Sequence, residues 1–154
     1  MPMAYEPIPE SYKQAFHQIF DNLTEEEKEW MKNNDSACVH TIFPFGELPP
    51  ESFNVHGMSI RNAWNLWGMQ EGVSTKLREE FINVWTLGHA DDMSGFLLDD
   101  VWAAVCGVEF DAAAEIERYH KHWKNYGIDP VTQEEIVKTP KKNCWDPRTW
   151  RISL

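Results

Sequence analysis

The stretch His89-Ala-Asp-Asp-Met-Ser-Gly-Phe-Leu-Leu-Asp-Asp-Val-Trp-Ala-Ala-Val-Cys-Gly107 decides the fold of this chain. Its apolar residues recur at helical spacing and cover so much of the helix circumference that neighbouring elements must bury it on most sides. Asp91 is predicted to cap the N-terminus, and Asp92 adds negative charge at the positive end of the helix dipole. Gly107 is predicted to end the helix in a left-handed turn. The residues expected to face solvent are Gly95, Asp99 and Ala103.

The rest of the chain predicts a mainly α, compact multi-helix single domain. Its 154 residues suit one domain with one hydrophobic core. Apolar residues at intervals of three and four predict five further helices. These helices are expected within 12–23, 24–32, 57–68, 77–88 and 110–127. A capping box at Thr24–Glu27 begins the second, Ser59 is predicted to cap the third, and Asp111 and Gly127 bound the last.

Two segments lack helical periodicity. Between 33 and 56, three prolines and a glycine interrupt any helix, so a long central loop is predicted. Its aromatic residues either pin the loop to the domain or make it a lid or binding edge, with Phe43, Phe45 and Phe53 as candidate contacts. The segment 128–154 is predicted to be an irregular tail that leaves room for a short β-hairpin.

The charge of the chain is strongly negative and unevenly distributed. The net charge is −11, and 138–154 carry +4, which leaves −15 on the residues before them. Direct binding of nucleic acid is not expected, because an acidic body repels phosphates, and the basic tail is expected to fold back on that body. The predicted organisation is one domain over 1–154, with a helical core at 10–107, an added helix at 108–127 and the basic tail at 128–154.

The sequence also predicts where the protein resides. No apolar run reaches the ~20 residues that span a bilayer, and the N-terminus lacks a basic segment followed by an apolar one. Cys38, Cys106 and Cys144 are far apart in the chain and form no pairing motif, so reduced thiols are expected. We therefore expect a cytoplasmic protein that does not contact membranes.

Two motifs resemble those of a known family. Ile60-Arg61-Asn62-x-Trp64-x-Leu66-Trp67-Gly68 is followed, after a helix, by His89-x-Asp91-Asp92-Met93-Ser94-Gly95. Together they resemble a small helical domain family of unknown function found in bacterial and phage proteins. The resemblance covers roughly Ser11 to Gly107 and leaves the loop 33–56 and everything after Gly107 outside the pattern. It implies a small helical domain and no assigned activity.

The polar residues of both motifs form a candidate cluster, which consists of Arg61, Asn62, His89, Asp91, Asp92 and Ser94. In a structural brace, Arg61 forms a bidentate ion pair with Asp91 or Asp92, and His89 bonds a second carboxylate. Removal of one member of such a buried pair costs about 3–5 kcal/mol. In a hydrolase-like site, His89 is a general base or metal ligand, the aspartates orient it or bind metal, and Arg61 holds an anion. The brace is the favoured interpretation, and no metal or other cofactor is predicted, since no second histidine lies at ligand spacing.

The favoured function is a non-catalytic, acidic protein-binding module, such as a phage-encoded modulator or inhibitor of a host protein. The predicted partner is a host or bacterial protein, and the sequence leaves the oligomeric state open. One alternative is an acidic nucleic-acid mimic that blocks a nucleic-acid-binding host protein. The other alternative is the hydrolase-like enzyme. The candidate partner-binding residues are Phe43, Phe45, Phe53, Asp99, Asp100, Glu115 and Glu117.

Overall fold

Six α-helices have their bounds within the part of the chain that the structure describes. The computed structural model describes residues 5, 7–36, 49–53, 55–70, 72–73 and 75–136. The helices are α1 (Tyr12–Phe20), α2 (Glu25–Lys32), α3 (Gly57–Ala63), α4 (Lys76–Asn83), α5 (Ala90–Cys106) and α6 (Ala112–Asn125). The predicted mainly α, compact fold is confirmed. The candidate contacts Phe43 and Phe45 and the segment from 137 onward lie outside the described residues.

Helix α5 is the centre of the fold, because α1, α2, α3 and α6 all pack against it. Several of its apolar side chains have no solvent exposure, namely Met93, Phe96, Leu97, Leu98 and Val101. Burial of apolar surface stabilises a fold by roughly 25 cal/mol per Å², so much of the core depends on this one helix. The prediction that α5 is covered on most sides is confirmed. In the described part of the chain, no helix combines the length and apolar character needed to cross a membrane.

The solvent-facing side predicted for α5 is wrong. Gly95, Asp99 and Ala103 are buried, whereas Ala104 is exposed. Helix α6 packs against α5 and brings the guanidinium of Arg118 within 3.9 Å of the Asp99 carboxylate. Helical spacing identifies the apolar face of α5, but it does not show that a later helix covers small and acidic residues as well.

The sequence predicts the C-terminal end of α5 correctly but not its N-cap residue. The N-cap is His89 and not Asp91, because the His89 Nδ1 accepts the backbone N–H of Asp91 at 3.0 Å. Asp91 lies inside the first turn, where its carboxylate is available to a neighbouring helix. Gly107 ends the helix in the left-handed conformation with φ 70°, as predicted.

Capping also sets the starts of the shorter helices. The predicted capping box of α2 is confirmed, with hydrogen bonds in both directions between Thr24 and Glu27. Helix α3 is shorter than predicted and begins after His56, not after Ser59. The Ser59 hydroxyl accepts the His56 N–H and donates to the His56 carbonyl. Beyond α3, Asn65 adopts φ 51°, which turns the chain out of the helix.

After α6, the chain turns back toward the segment that precedes α5. One antiparallel bridge joins Ile128 to Glu135. In the described residues, the short β-hairpin that the sequence allowed is therefore reduced to this single bridged pair. The Gly88 N–H donates to a carbonyl of this turn at 3.0 Å. A Cβ atom at Gly88 would overlap the carbonyl oxygen of Val131. Glycine is therefore required here by a close backbone approach.

Gly88→Ala is expected to destabilise the protein by about 3 kcal/mol, because the new methyl group displaces a backbone carbonyl and the turn that holds it. Gly107→Ala is the matched control. Its Cβ would meet no atom within 4 Å, so only the left-handed backbone opposes it, at about 1 kcal/mol. Urea unfolding followed by tryptophan fluorescence measures both values. Equal losses in the two variants would show that the contact with Val131 contributes nothing.

Candidate functional site at the N-terminus of α5

The predicted polar cluster assembles where α3 meets the N-terminus of α5. The Arg61 Nε lies 3.3 Å from Asp91 Oδ1, and the Arg61 Nη1 donates to Ser94 Oγ at 2.9 Å. The guanidinium carbon also lies 6.0 Å from the centre of the Trp67 ring. Arg61 therefore joins the two helices through one ion pair and one hydrogen bond. The bidentate pair with a single aspartate that the sequence predicted does not form.

Ser94 and His89 use their polar atoms to hold the helix terminus. The buried Ser94 hydroxyl accepts from Arg61 and donates to the Asp91 carbonyl at 3.1 Å. The His89 Nδ1 accepts a backbone N–H, so this nitrogen carries no proton. It lies 3.8 Å from Asp91 Oδ2, so the predicted hydrogen bond to a second carboxylate is not made there. The His89 ring contacts Trp67 and Trp123, with centroid distances of 5.4 and 5.0 Å.

Asp92 is buried, and it connects α5 to α6. One of its carboxylate oxygens accepts the indole N–H of Trp123 at 2.6 Å. Burial raises the pKa of Asp92, although the hydrogen bond from Trp123 acts in the opposite direction. The sequence motifs do not include Trp123 in the cluster, because it lies 31 positions beyond Asp92 in the chain. Its position on the apolar face of α6 was the available signal.

A shallow concavity of about 280 Å³ lies beside the cluster. Its described lining, which we call the Trp67 surface, consists of Arg61, Asn62, Asn65, Trp67, Met69 and Gln70. Trp67 is 39% exposed and Met69 is 82% exposed. Of the six predicted cluster residues, Arg61 and Asn62 belong to this lining. The concavity and the buried part of the cluster are therefore neighbours that share Arg61.

The backbone of the 64–70 loop, which presents the Trp67 surface, is held by polar contacts. Asn65 is buried in a left-handed conformation that is uncommon for residues other than glycine. Its side-chain amide donates to the Gln70 carbonyl at 2.9 Å and accepts the Gln70 N–H at 3.0 Å. The Arg78 Nε donates to the Leu66 carbonyl at 3.0 Å. The sequence does not predict this arrangement, because the apolar spacing continues the helix to Gly68.

Four of the predicted partner-binding residues, namely Phe53, Asp99, Asp100 and Glu115, make internal contacts. Phe53 is buried, with its ring 4.9 Å from that of Trp30, which agrees with the interpretation that the loop aromatics pin the loop to the domain. Its role in binding a partner stays a prediction. Asp99 is buried near Arg118. Arg118 also forms an ion pair with Glu115 at 2.7 Å. These acidic residues connect α5 and α6.

The other two predicted carboxylates differ from each other. Asp100 accepts the Tyr12 hydroxyl at 2.5 Å, and burial raises the pKa of both groups. Glu117 is exposed. A continuous acidic surface through α5 and α6 requires all of the predicted carboxylates to face solvent. In the structure, Glu117 is exposed, Asp100 and Glu115 are half-buried, and Asp99 is buried.

Thr86 and His120 form a polar pair that resembles a nucleophile and its base. The Thr86 Oγ1 lies 3.1 Å from the His120 Nε2, and Thr86 has a left-handed φ of 56°. However, the hydroxyl donates to the Trp85 carbonyl at 2.6 Å, and the His120 Nε2 lies 2.7 Å from the Thr86 carbonyl. A carbonyl only accepts, so Nε2 carries its proton and cannot activate the hydroxyl. The pair holds α6 against the segment before α5.

The chemistry available to the cluster is limited by these contacts. The hydrogen bonds of Ser94, the His89 Nδ1 and Asp92 all run to other groups of the protein. Within the described ranges, no group of three or more His, Cys, Asp or Glu side chains could hold a metal ion. The arrangement joins α3, α5 and α6, and it leaves the Trp67 surface as the part of the site that faces solvent.

The fold and the cluster define a small helical domain in which two polar motifs meet at the start of one central helix. The chain belongs to a family described as a domain of unknown function (DUF6794), whose model matches residues 8–104. That range includes both motifs and also runs through the loop 33–56, which the resemblance had left outside the pattern. Helix α6 lies beyond it. Comparisons with curated proteins and with solved structures found no match.

Asp91→Ala is expected to cost less than about 1 kcal/mol, because the Asp91 side chain is 59% exposed and water screens its ion pair. Arg61→Ala is expected to cost about 1–3 kcal/mol, since its loss removes a donor from the buried Ser94 hydroxyl. The larger value predicted for a fully buried pair does not apply. Thermal and urea unfolding of both variants provides the comparison. A greater loss in Asp91→Ala than in Arg61→Ala would contradict this account.

Asp92→Asn is expected to flatten the pH dependence of stability. Because the folded pKa of Asp92 is raised above 3.8, the folded state binds the proton more tightly than the unfolded state. The stability from this group is therefore gained as the pH falls through the raised pKa and lost as the pH rises. Asparagine removes the charge and keeps an oxygen acceptor for Trp123.

The test is urea unfolding of wild type and Asp92→Asn between about pH 4 and pH 7, a range that begins near the ordinary carboxyl pKa. The free energy of unfolding of Asp92→Asn should increase relative to that of the wild type as the pH rises. Trp123→Phe is the matched control, because it removes the indole N–H and leaves the carboxylate in place. A difference between Asp92→Asn and wild type that is constant over this range would refute the prediction.

Proposed function

We propose that this protein is a non-catalytic protein-binding module and that the Trp67 surface is its binding site. The observation that supports the proposal is the exposure of Trp67 and Met69 on a loop whose backbone is held by the buried Asn65. An exposed tryptophan on a fixed backbone is suited to act as an anchor for a partner protein. The host or bacterial partner predicted from the sequence remains a prediction.

The rigidity of the 64–70 loop favours binding. A surface that is already ordered loses less conformational entropy on association than a flexible one. Asn65 holds a left-handed backbone, a conformation that asparagine adopts more readily than most residues other than glycine. Its side-chain amide forms two hydrogen bonds with the backbone of Gln70, which fixes the position that presents Trp67 to solvent.

The composition of the Trp67 surface indicates the chemistry of the partner. Tryptophan, methionine and arginine are all enriched at protein interfaces. The exposed Asn62 and Gln70 offer amide groups that can bond a peptide backbone. The charge of Arg61 is offset by Asp91. The surface thus suits a protein segment that places an apolar side chain against Trp67 and Met69, with only weak dependence on salt.

The two alternatives have less support. A hydrolase-like site needs an available base and nucleophile, whereas the His89 Nδ1 and the Ser94 hydroxyl hold the terminus of α5. A nucleic-acid mimic needs a continuous set of exposed carboxylates. Glu25, Glu26 and Glu29 on α2 are exposed, whereas Asp99 and Asp100 contact side chains of other helices. A mimic would also bind its partner less tightly at high salt. Salt dependence therefore distinguishes binding by mimicry from binding through the Trp67 surface.

The double variant Trp67→Ala/Met69→Ala is expected to bind its partner at least about tenfold more weakly, because aromatic anchors carry a large share of interface energy. Affinity capture with the wild-type protein supplies candidate partners. A candidate partner is one that both the wild type and Val108→Ala capture and that an unrelated acidic protein does not. Val108 is 50% exposed and serves as the apolar control. Calorimetric titration of the purified partner then gives the affinities.

The same titration is repeated at low and high salt. Weak salt dependence together with loss of affinity in the double variant supports the proposal. Binding that survives the double variant contradicts it, and steep loss with salt in that case favours the nucleic-acid mimic. Met69 is 82% exposed, so Met69→Ala alone should leave the thermal midpoint close to that of the wild type. Trp67 also contacts His89 and Arg61, so the double variant is expected to lose some stability, and its folding is verified by circular dichroism before the titration.

A further inference from the structure

A groove of about 530 Å³ runs along α6. Its described lining comes from one stripe of this helix, which consists of Ala113, Ile116, Glu117, His120, Lys121 and Lys124. Ala113 is exposed and Ile116 is half-buried. The carbon chains of the lysines add further apolar surface. We call this stripe the α6 groove, and it offers an apolar floor to another segment.

The described chain ends beside this groove. The Ile136 N–H donates to the Gly127 carbonyl at 2.8 Å, and Ile128 is bridged to Glu135, so residue 136 is fixed at the C-terminal end of α6. The segment 137–154 continues from that point. Fully extended, its 18 residues reach roughly 59 Å, whereas α6 is roughly 21 Å long. The segment can therefore run back along the whole helix.

The sequence of 137–154 suits the groove. Its apolar side chains are Val137, Trp145, Trp150, Ile152 and Leu154. The net charge of 138–154 is +4, beside a body of −15. If the segment runs back along α6, its later residues Arg148 and Arg151 approach the exposed Glu117 and Asp111 in the first half of the helix. Apolar groups then come together along the groove, and opposite charges meet in the first half of the helix, away from Lys121 and Lys124.

We propose that residues 137–154 of the same chain occupy the α6 groove. Trp145 and Trp150 pack on the floor around Ala113 and Ile116, and the later arginines lie near Glu117. The groove is then filled within the molecule and is not a second site for a partner. This contact does not depend on the binding role of the Trp67 surface.

Disulfide trapping in the full chain tests the proposal. In a Cys38→Ser/Cys106→Ala background, Cys144 is the remaining native thiol. Lys121→Cys adds a thiol in the groove, and Glu25→Cys adds one on α2, where the side chain is 94% exposed, as the matched control. Under oxidised glutathione, Lys121→Cys should form an intramolecular disulfide with Cys144 about tenfold faster than Glu25→Cys, because docking raises the effective concentration.

Peptide mapping by mass spectrometry identifies the bond, and non-reducing electrophoresis separates monomers from dimers. Adding Ala113→Glu, which places a charge on the floor of the groove at an exposed position, should remove the rate advantage of Lys121→Cys. Equal rates for Lys121→Cys and Glu25→Cys would overturn the proposal. Disulfide-linked dimers through Cys144 would overturn it as well, because a second copy of the chain would then cover the groove.

Discussion

The apolar circumference of α5 is the constraint on which the rest of the fold depends. A helix with this distribution of side chains leaves a large apolar area in water unless every side is covered. Helices α1, α2, α3 and α6 meet around it for that reason. Each of them is amphipathic or short and has little reason to fold without α5. Phe96 and Leu97 have no solvent exposure, because the surrounding helices cover them completely.

Burying α5 creates a second requirement at its N-terminus, where backbone N–H groups and a carboxylate leave water. A buried polar group without a partner costs about 1–3 kcal/mol. His89 accepts one N–H, Arg61 bonds Ser94, and Trp123 bonds Asp92. The polar cluster therefore follows from the burial of the helix. Residues that resemble a catalytic set in the sequence connect three helices, and the binding surface that we propose is the neighbouring loop.

The residues beyond the matched family range make contacts that stabilise the start of α5. Trp123 reaches Asp92, His120 holds the strained Thr86, and the turn after α6 contacts Gly88. These contacts all lie at or just before the start of α5. The Trp67 surface, by contrast, lies within the matched range of 8–104 and takes its shape from contacts inside that range. Helix α6 is linked to this surface through the His89 ring, which contacts both Trp67 and Trp123.

The sequence by itself determined the helices, the Thr24–Glu27 capping box and the end of α5 at Gly107, because these depend on residues within a few positions of one another. It also predicted that the two polar motifs meet. Only the tertiary structure decided that α6 covers Asp99, that Trp123 joins the cluster and that Asn65 fixes the exposed loop. Spacing along one helix cannot specify these features, because they depend on packing between distant segments and on a backbone conformation that local periodicity does not encode.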